Sequence, residues 1–176
     1  MSENKPISRT TIYAHGSLGM PMAVYGYPLA IWLGPHYSGV IGLDLATVGL
    51  ILMLARFTDV ITDPLIGEIS DRWRTPFGRR KHWLIIGTPV MLFGIFKLFI
   101  PPADAGLIYM LFWLTVFFLG STMIALPHRA WGAELSNDYH QRSRVTAGRE
   151  IYVLAGLLLA ATVPVSYTHL TLPTKA

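Results

Sequence analysis

Apolar positions along this chain gather into long runs, and polar positions into the short stretches between them. The first run covers about 12–33 and is rich in glycine, tyrosine and proline. A loop at 35–43 separates it from a second run at about 44–69. The basic loop 70–82, with Arg72, Arg74, Arg79, Arg80 and Lys81, leads to a third run at about 83–100. "PPADAG" ends that run, because two prolines and a glycine stop a helix, and a fourth run follows at about 107–127. After the polar segment "HRAWGAELSNDYHQRSRVTAGRE" a fifth run occupies about 149–165, with its apolar part at 151–165. A membrane-spanning helix needs roughly 20 apolar residues, which the first four runs supply and the fifth falls short of. The pattern predicts an all-α membrane protein with about five transmembrane helices.

Composition agrees with the pattern. Hydrophobic residues are 52% of the 176, charged residues 14%, and mean hydropathy is +0.46; soluble domains carry about 25% charged residues. The net charge of +4 sits in the short loops, which argues against a nucleic-acid partner. Without cysteine the redox compartment is not legible. The first run is too long for a signal-peptide core of about 7–15 residues, and no A-x-A-like cleavage site follows it.

Lysine and arginine fix an orientation. Residues 1–11 hold Lys5 and Arg9, the loop after the second run holds five basic residues, and the segment after the fourth holds Arg129, Arg142 and Arg144. The loops after the first and third runs hold none, only His36 and Asp104. Basic loops stay in the cytoplasm, so the reading is a multi-pass protein of the cell (inner) membrane with a cytoplasmic N-terminus. Lys97 is the exception, and its long stem lets it snorkel from the end of its span. Residues 166–176, "SYTHLTLPTKA", break the apolar pattern and read as a non-native tail, leaving a fragment of something longer.

The second run carries Arg56, Asp59 and Asp63 near its middle. Each charge at mid-membrane costs about 2.5–3.5 kcal/mol, so three unpaired charges cost roughly 8–10 kcal/mol. On a helix turning about 100° per residue, these three and Gly67 fall within an arc of roughly 80°. That face must look into a bundle or an aqueous cavity. Pairing Arg56 with Asp59 at i, i+3 relieves part of the cost, and one carboxylate stays in excess. Two readings follow: an ion-pair lock between helices, or a site for a cation or proton.

The charges run on into "DPLIGEISDRWRTPFGRRKH". The spacing Gly67-x-x-x-Asp71-Arg72, then Gly78-Arg79-Arg80-Lys81, resembles the cytoplasmic loop signature of the major facilitator superfamily. The upstream Arg-x-x-Asp-x-x-x-Asp-Pro, 56–64, is similar to the glycoside–pentoside–hexuronide:cation symporters of the melibiose-permease type. "LPHRAWGAELSNDYHQRSRVTAGRE" resembles the same family's loop between helices four and five. The resemblance covers about 13–165. It implies the N-terminal half of a transporter of about twelve helices, built from three-helix repeats. Gly67 is expected to let a neighbouring helix approach closely. Asp71, with Arg72, Arg79 and Arg80, is expected to act in a cytoplasmic gate or latch, and Arg56 as a charge partner.

The resemblance further implies symport of a sugar, glycoside or uronide with Na⁺, Li⁺ or H⁺ by alternating access, with no other cofactor or metal. Asp59 and Asp63 match the family's cation-site carboxylates and Thr122 a hydroxyl beside them, an oxygen set suited to a hard cation. Arg149, Tyr25 and Trp131 are the candidate substrate-binding residues. Two positions depart from the melibiose permeases, whose sugar-binding aspartates are replaced here by Pro21 and Ala125. Galactoside transport is therefore not carried over, since a missing hydrogen-bond partner changes specificity strongly. The expected fragment should be inactive alone. Two alternatives compete: a magnesium-dependent prenyltransferase-like membrane enzyme, using Asp59-x-x-x-Asp63 and Glu134-x-x-x-Asp138 around a diphosphate, and an accessory membrane protein.

Overall fold

The computed structural model describes residues 6–39, 41–73, 75–76, 78–102 and 104–171, with the backbone alone for 163–171. Lys5, Arg74 and residues 172–176 of the expected tail lie outside the described residues. All regular structure among the described residues is helical: α1 (Arg9–Ser17), α2 (Gly19–Gly39), α3 (Leu45–Arg72), α4 (Lys81–Phe99), α5 (Leu107–Glu134) and α6 (Tyr139–Thr171). Four of these are long and apolar enough to cross a membrane: α3, α4, α5 and Tyr139–Thr162 of α6. The protein is a multi-pass membrane protein.

The first apolar run is divided between α1 and α2, which meet at Leu18. Pro21 has no N–H to donate to the Ser17 carbonyl, so a continuous helix loses a bond there. α2 has the length of a span, but glycine, tyrosine, proline and histidine dilute its apolar character. Asp44 caps α3 by accepting from Thr47 N at 3.1 Å. α6 starts well before its apolar part because Asp138 caps it, accepting from Gln141 N at 2.9 Å.

The chain divides into two compact units, 1–31 with 132–176 and 32–131. In the first, α1 packs along α6 through small residues. A Cβ on Gly16 would lie 3.0 Å from the Gly148 carbonyl oxygen, and one on Gly148 would lie 2.7 Å from Ile12. Small residues are how membrane helices bring backbones together. Ile7 N donates to Gln141 Oε1 at 2.6 Å, tying the start of this seam.

In the second unit α4 and α5 run antiparallel at very close range. A Cβ on Gly120 would stand 2.5 Å from Met91 N, and one on Gly94 would stand 2.9 Å from Phe117 Cα. α3 buries Val48, Ile51, Ala55, Ile66 and Ser70 and leaves Phe57, Val60 and Ile61 more than 60% exposed, an apolar outer face suited to lipid. Lys97 lies half-buried with its ammonium over the rings of Phe93 (5.6 Å) and Trp113 (5.8 Å), a cation–π arrangement that houses a lysine near the end of an apolar helix.

Candidate functional site

The charged stripe of α3 faces α5 within the second unit. Arg56 Nη1 lies 3.3 Å from Asp59 Oδ2, and the Arg56 guanidinium stacks 4.3 Å from the centroid of Phe118. One turn along α5, the buried Thr122 donates its hydroxyl to Asp63 Oδ1 at 2.9 Å. Phe118 and Thr122, at i, i+4, thus present one ring to the cation and one hydroxyl to the carboxylate. Asp59 and Asp63 are both half-buried. Asp59 Oδ1 is buried with no hydrogen-bond partner among the described residues, and so is Thr62 Oγ1.

A buried carboxylate oxygen without a donor is costly. A hard cation or a proton would satisfy it, and every donor here is oxygen, as such cations prefer. Pro64, next to Asp63, carries no N–H, so the Val60 carbonyl loses its helical donor and adds one more oxygen without its usual bond. Among the described residues no group of three or more His, Cys, Asp and Glu side chains comes together.

Beyond Asp63 an open groove of about 340 Å³ runs to the end of α3, lined by Asp63, Gly67, Ser70, Asp71 and Arg80, with Leu126 and Ala130 of α5 opposite. A Cβ on Gly67 would meet nothing within 4 Å. Gly67 therefore does not serve the close helix approach expected of it; close approach falls to Gly87, Gly94 and Gly120, and Gly67 helps to keep the groove open. At the groove's end Asp71 Oδ1 pairs with Arg80 Nη2 at 2.7 Å. The Arg80 side chain is only 9% exposed and also donates to Ser70 Oγ at 3.3 Å. Arg72 pairs instead with Glu68 on the exposed side of α3, at 2.5 Å. Arg79 is half-buried in the turn before α4. The loop is shaped by Gly78 at φ +100° and by His82, whose Nδ1 lies 3.1 Å from the Gly78 carbonyl oxygen.

The candidate substrate-binding residues are not gathered in this unit. Tyr25 and Arg149 belong to the first unit, where Arg149 pairs with the adjacent Glu150. Arg149 Nε is buried without a partner, and its stem lies against Gly19. Trp131 belongs to the second unit with Asp63, but lies under the ammonium of Lys81 at 5.6 Å. It is about 13 Å further along α5 than Thr122 by helical rise. Asp138, offered as half of a diphosphate–magnesium motif, is occupied as the cap of α6. Phe118 and Ser70 were not singled out from sequence; the signal for Phe118 was its i−4 spacing from Thr122.

The chain matches the MFS/sugar transport protein family over residues 13–171. Among curated relatives, the uncharacterized symporter sll1374 of Synechocystis is 32% identical over 160 residues, 86% of this chain and 29% of its own length. The inner membrane symporter YicJ of Escherichia coli is 28% identical over 127 residues, 70% of this chain and 28% of its own. The sodium-dependent lysophosphatidylcholine symporter 1 of Gallus gallus is 30% identical over 155 residues, 86% of this chain and 29% of its own. The chain thus spans about three-tenths of the length of these relatives. All three are named as symporters and none as an enzyme, which sets aside the prenyltransferase reading. With its intramembrane carboxylates, its basic loop and these relatives, the chain belongs to the MFS/sugar transport protein family, within the glycoside–pentoside–hexuronide:cation symporters of the major facilitator superfamily.

Proposed function

We propose that this chain carries the coupling-cation site of a secondary active symporter, with Asp59, Asp63 and Thr122 as its oxygen ligands. The observation that carries the proposal is the pairing of a carboxylate already held by a hydroxyl, Asp63 with Thr122, and a nearby carboxylate with one oxygen buried and unsatisfied, Asp59. Arg56 offsets one of the two negative charges, so one monovalent cation completes the balance. Na⁺, Li⁺ and H⁺ all meet that requirement, and the sodium dependence in the name of the Gallus gallus relative favours Na⁺.

The proposed solute is a sugar, glycoside or uronide, a reading supported by the sugar transport in the family's description. A second reading is favoured by the apolar residues Pro21 and Ala125 and by the relative named for lysophosphatidylcholine: an amphiphile with few hydroxyls. Arg149, Tyr25 and Trp131 remain the candidate solute contacts. The Asp71–Arg80 pair serves as a latch on the cytoplasmic side, with the N-terminus on that same side of the inner membrane. The 176-residue chain alone is expected to give no uptake in vesicles.

In a chain completed to the relatives' length, Asp59→Asn and Asp63→Asn should each abolish cation-driven uptake across a panel of sugars, uronides and lysophospholipids. Membrane insertion should be unchanged. Uptake at the unsubstituted rate in either variant would remove the cation-site assignment.

A further inference from the structure

We propose that the groove between α1 and the first turns of α6 is a binding site for an anionic phospholipid of the surrounding bilayer, with Arg9 and Arg144 holding the headgroup phosphate. The groove has a volume of about 220 Å³ and lies wholly within the first unit. α1 contributes Arg9, Ile12 and Tyr13, at i, i+3 and i+4; α6 contributes Arg144, Ala147, Gly148 and Ile151, at i, i+3, i+4 and i+7. Each helix therefore gives one stripe that begins with an arginine and continues in apolar or aromatic residues.

The two stripes point the same way. Ile7 bonds to Gln141 before the arginines, and Ile12 meets Gly148 after them. The helices are thus parallel, with both arginines at one end. That end belongs to the polar turns of α6, Tyr139 to Glu150, and the other opens onto the apolar stretch beginning at Ile151. Tyr13 is 54% exposed and Ile151 65% exposed at the apolar end.

Charge decides what fits. Arg9 and Arg144 are exposed, and neither has an ion-pair partner among the described residues. The acid nearest in α6, Glu150, is taken by Arg149. Two unpaired guanidinium groups call for a phosphate, which arginine holds in a planar fork. A free phosphate would have no use for the apolar half of the groove. A phospholipid satisfies both halves, with its phosphodiester at the arginines and the start of an acyl chain along Tyr13 and Ile151. Basic pockets between membrane helices at the cytoplasmic surface hold anionic headgroups in this manner.

The test uses the purified 176-residue chain in detergent, titrated by native mass spectrometry with phosphatidylglycerol, with phosphatidylcholine of the same acyl chains, and with inorganic phosphate. Phosphatidylglycerol should bind at least tenfold more tightly than phosphatidylcholine, and phosphate should not displace it. A basic residue near the bilayer surface contributes about a fivefold gain in affinity. Arg9→Gln and Arg144→Gln should therefore each weaken phosphatidylglycerol binding about fivefold, and Arg129→Gln, an exposed arginine outside the groove, should leave it unchanged. Circular dichroism checks the fold of each variant. If a glutamine variant loses helix content, the lipid-class comparison on the unsubstituted chain decides. Equal retention of the two lipids, displacement by phosphate, or equal effects of all three glutamine substitutions would overturn the proposal.

Discussion

Replacing Thr122 with valine removes one hydroxyl and little else, and its effect should differ for the candidate coupling ions. The hydroxyl donates to Asp63 Oδ1 at 2.9 Å from a residue that is 8% exposed, so valine, nearly isosteric, keeps the packing. The donated hydrogen bond reaches Asp63 both before and after Na⁺ binds, and its loss largely cancels between the two states. The oxygen's lone pairs face a different balance, since they meet Na⁺ only in the bound state. A polar contact to a charged group contributes about 1.5–3 kcal/mol, which corresponds to about a ten- to hundredfold weaker Na⁺ affinity. A proton behaves otherwise: it bonds to a carboxylate oxygen itself and needs no lone pair from Thr122, so proton-driven uptake should survive the loss of the hydroxyl. The measurement is the Na⁺ concentration for half-maximal uptake by vesicles holding the chain completed to its relatives' length, corrected for protein amount. Thr122→Val should raise it at least tenfold, and Thr122→Ser should restore it. An unchanged half-maximal concentration in the valine variant, at equal protein amount, would refute Thr122 as a ligand of Na⁺.

Other expectations concern the latch, the helix seams and the orientation. Asp71→Asn removes one charged partner of the 9%-exposed Arg80 side chain and should lower stability by about 1–3 kcal/mol. Glu68→Gln should cost less than about 1 kcal/mol, because Arg72 is 79% exposed; thermal melts in detergent compare the two. Gly120→Ala places a Cβ 2.5 Å from the Met91 backbone nitrogen and should cost about 1–3 kcal/mol as α4 and α5 are pushed apart. Gly67→Ala meets open space and should be neutral or stabilising by up to about 1 kcal/mol, so equal melting temperatures for the two alanine variants would contradict the packing described. The chain has no cysteine, so single cysteines report sidedness directly. Asp104→Cys in intact cells should react with an impermeant maleimide, and Thr75→Cys should react only after the cells are opened.

The charged stripe of α3 was legible because a helix fixes which residues share a face, whatever it packs against. The partner of that stripe was not legible in the same way: Asp63 and Thr122 are far apart in sequence, and only the family resemblance joined them before the structure did. Gly67 shows the limit of a small-residue rule. A glycine permits close approach, but whether a neighbour comes near is decided by that neighbour, and here the space is left open. The break at Leu18 and the early start of α6 were both written in the chain, as Pro21 and as Asp138 with Gln141. Run length hid them, because an apolar run measures how long a helix can stay in a membrane and not where its hydrogen bonds begin.

Asp59, Asp63, Gly67 and Asp71 recur at every fourth residue of α3 and so form one stripe along a single helix. The proposed cation site and the proposed latch are thereby attached to the same helix, with about 12 Å of helical rise between Asp63 and Asp71. Direct electrostatics across that distance is weak along the open groove that joins them. Movement of α3 itself is the stronger link. Pro64 sits between the two sites and removes the hydrogen bond to Val60, which makes that turn the place where α3 can bend. On one side of that turn the Asp71–Arg80 pair holds the helix end to the loop before α4, and on the other side Thr122 holds Asp63 to α5. If the proposed site is the coupling site, a cation that changes the Asp63–Thr122 contact would act on one end of a hinged lever whose other end is the proposed latch.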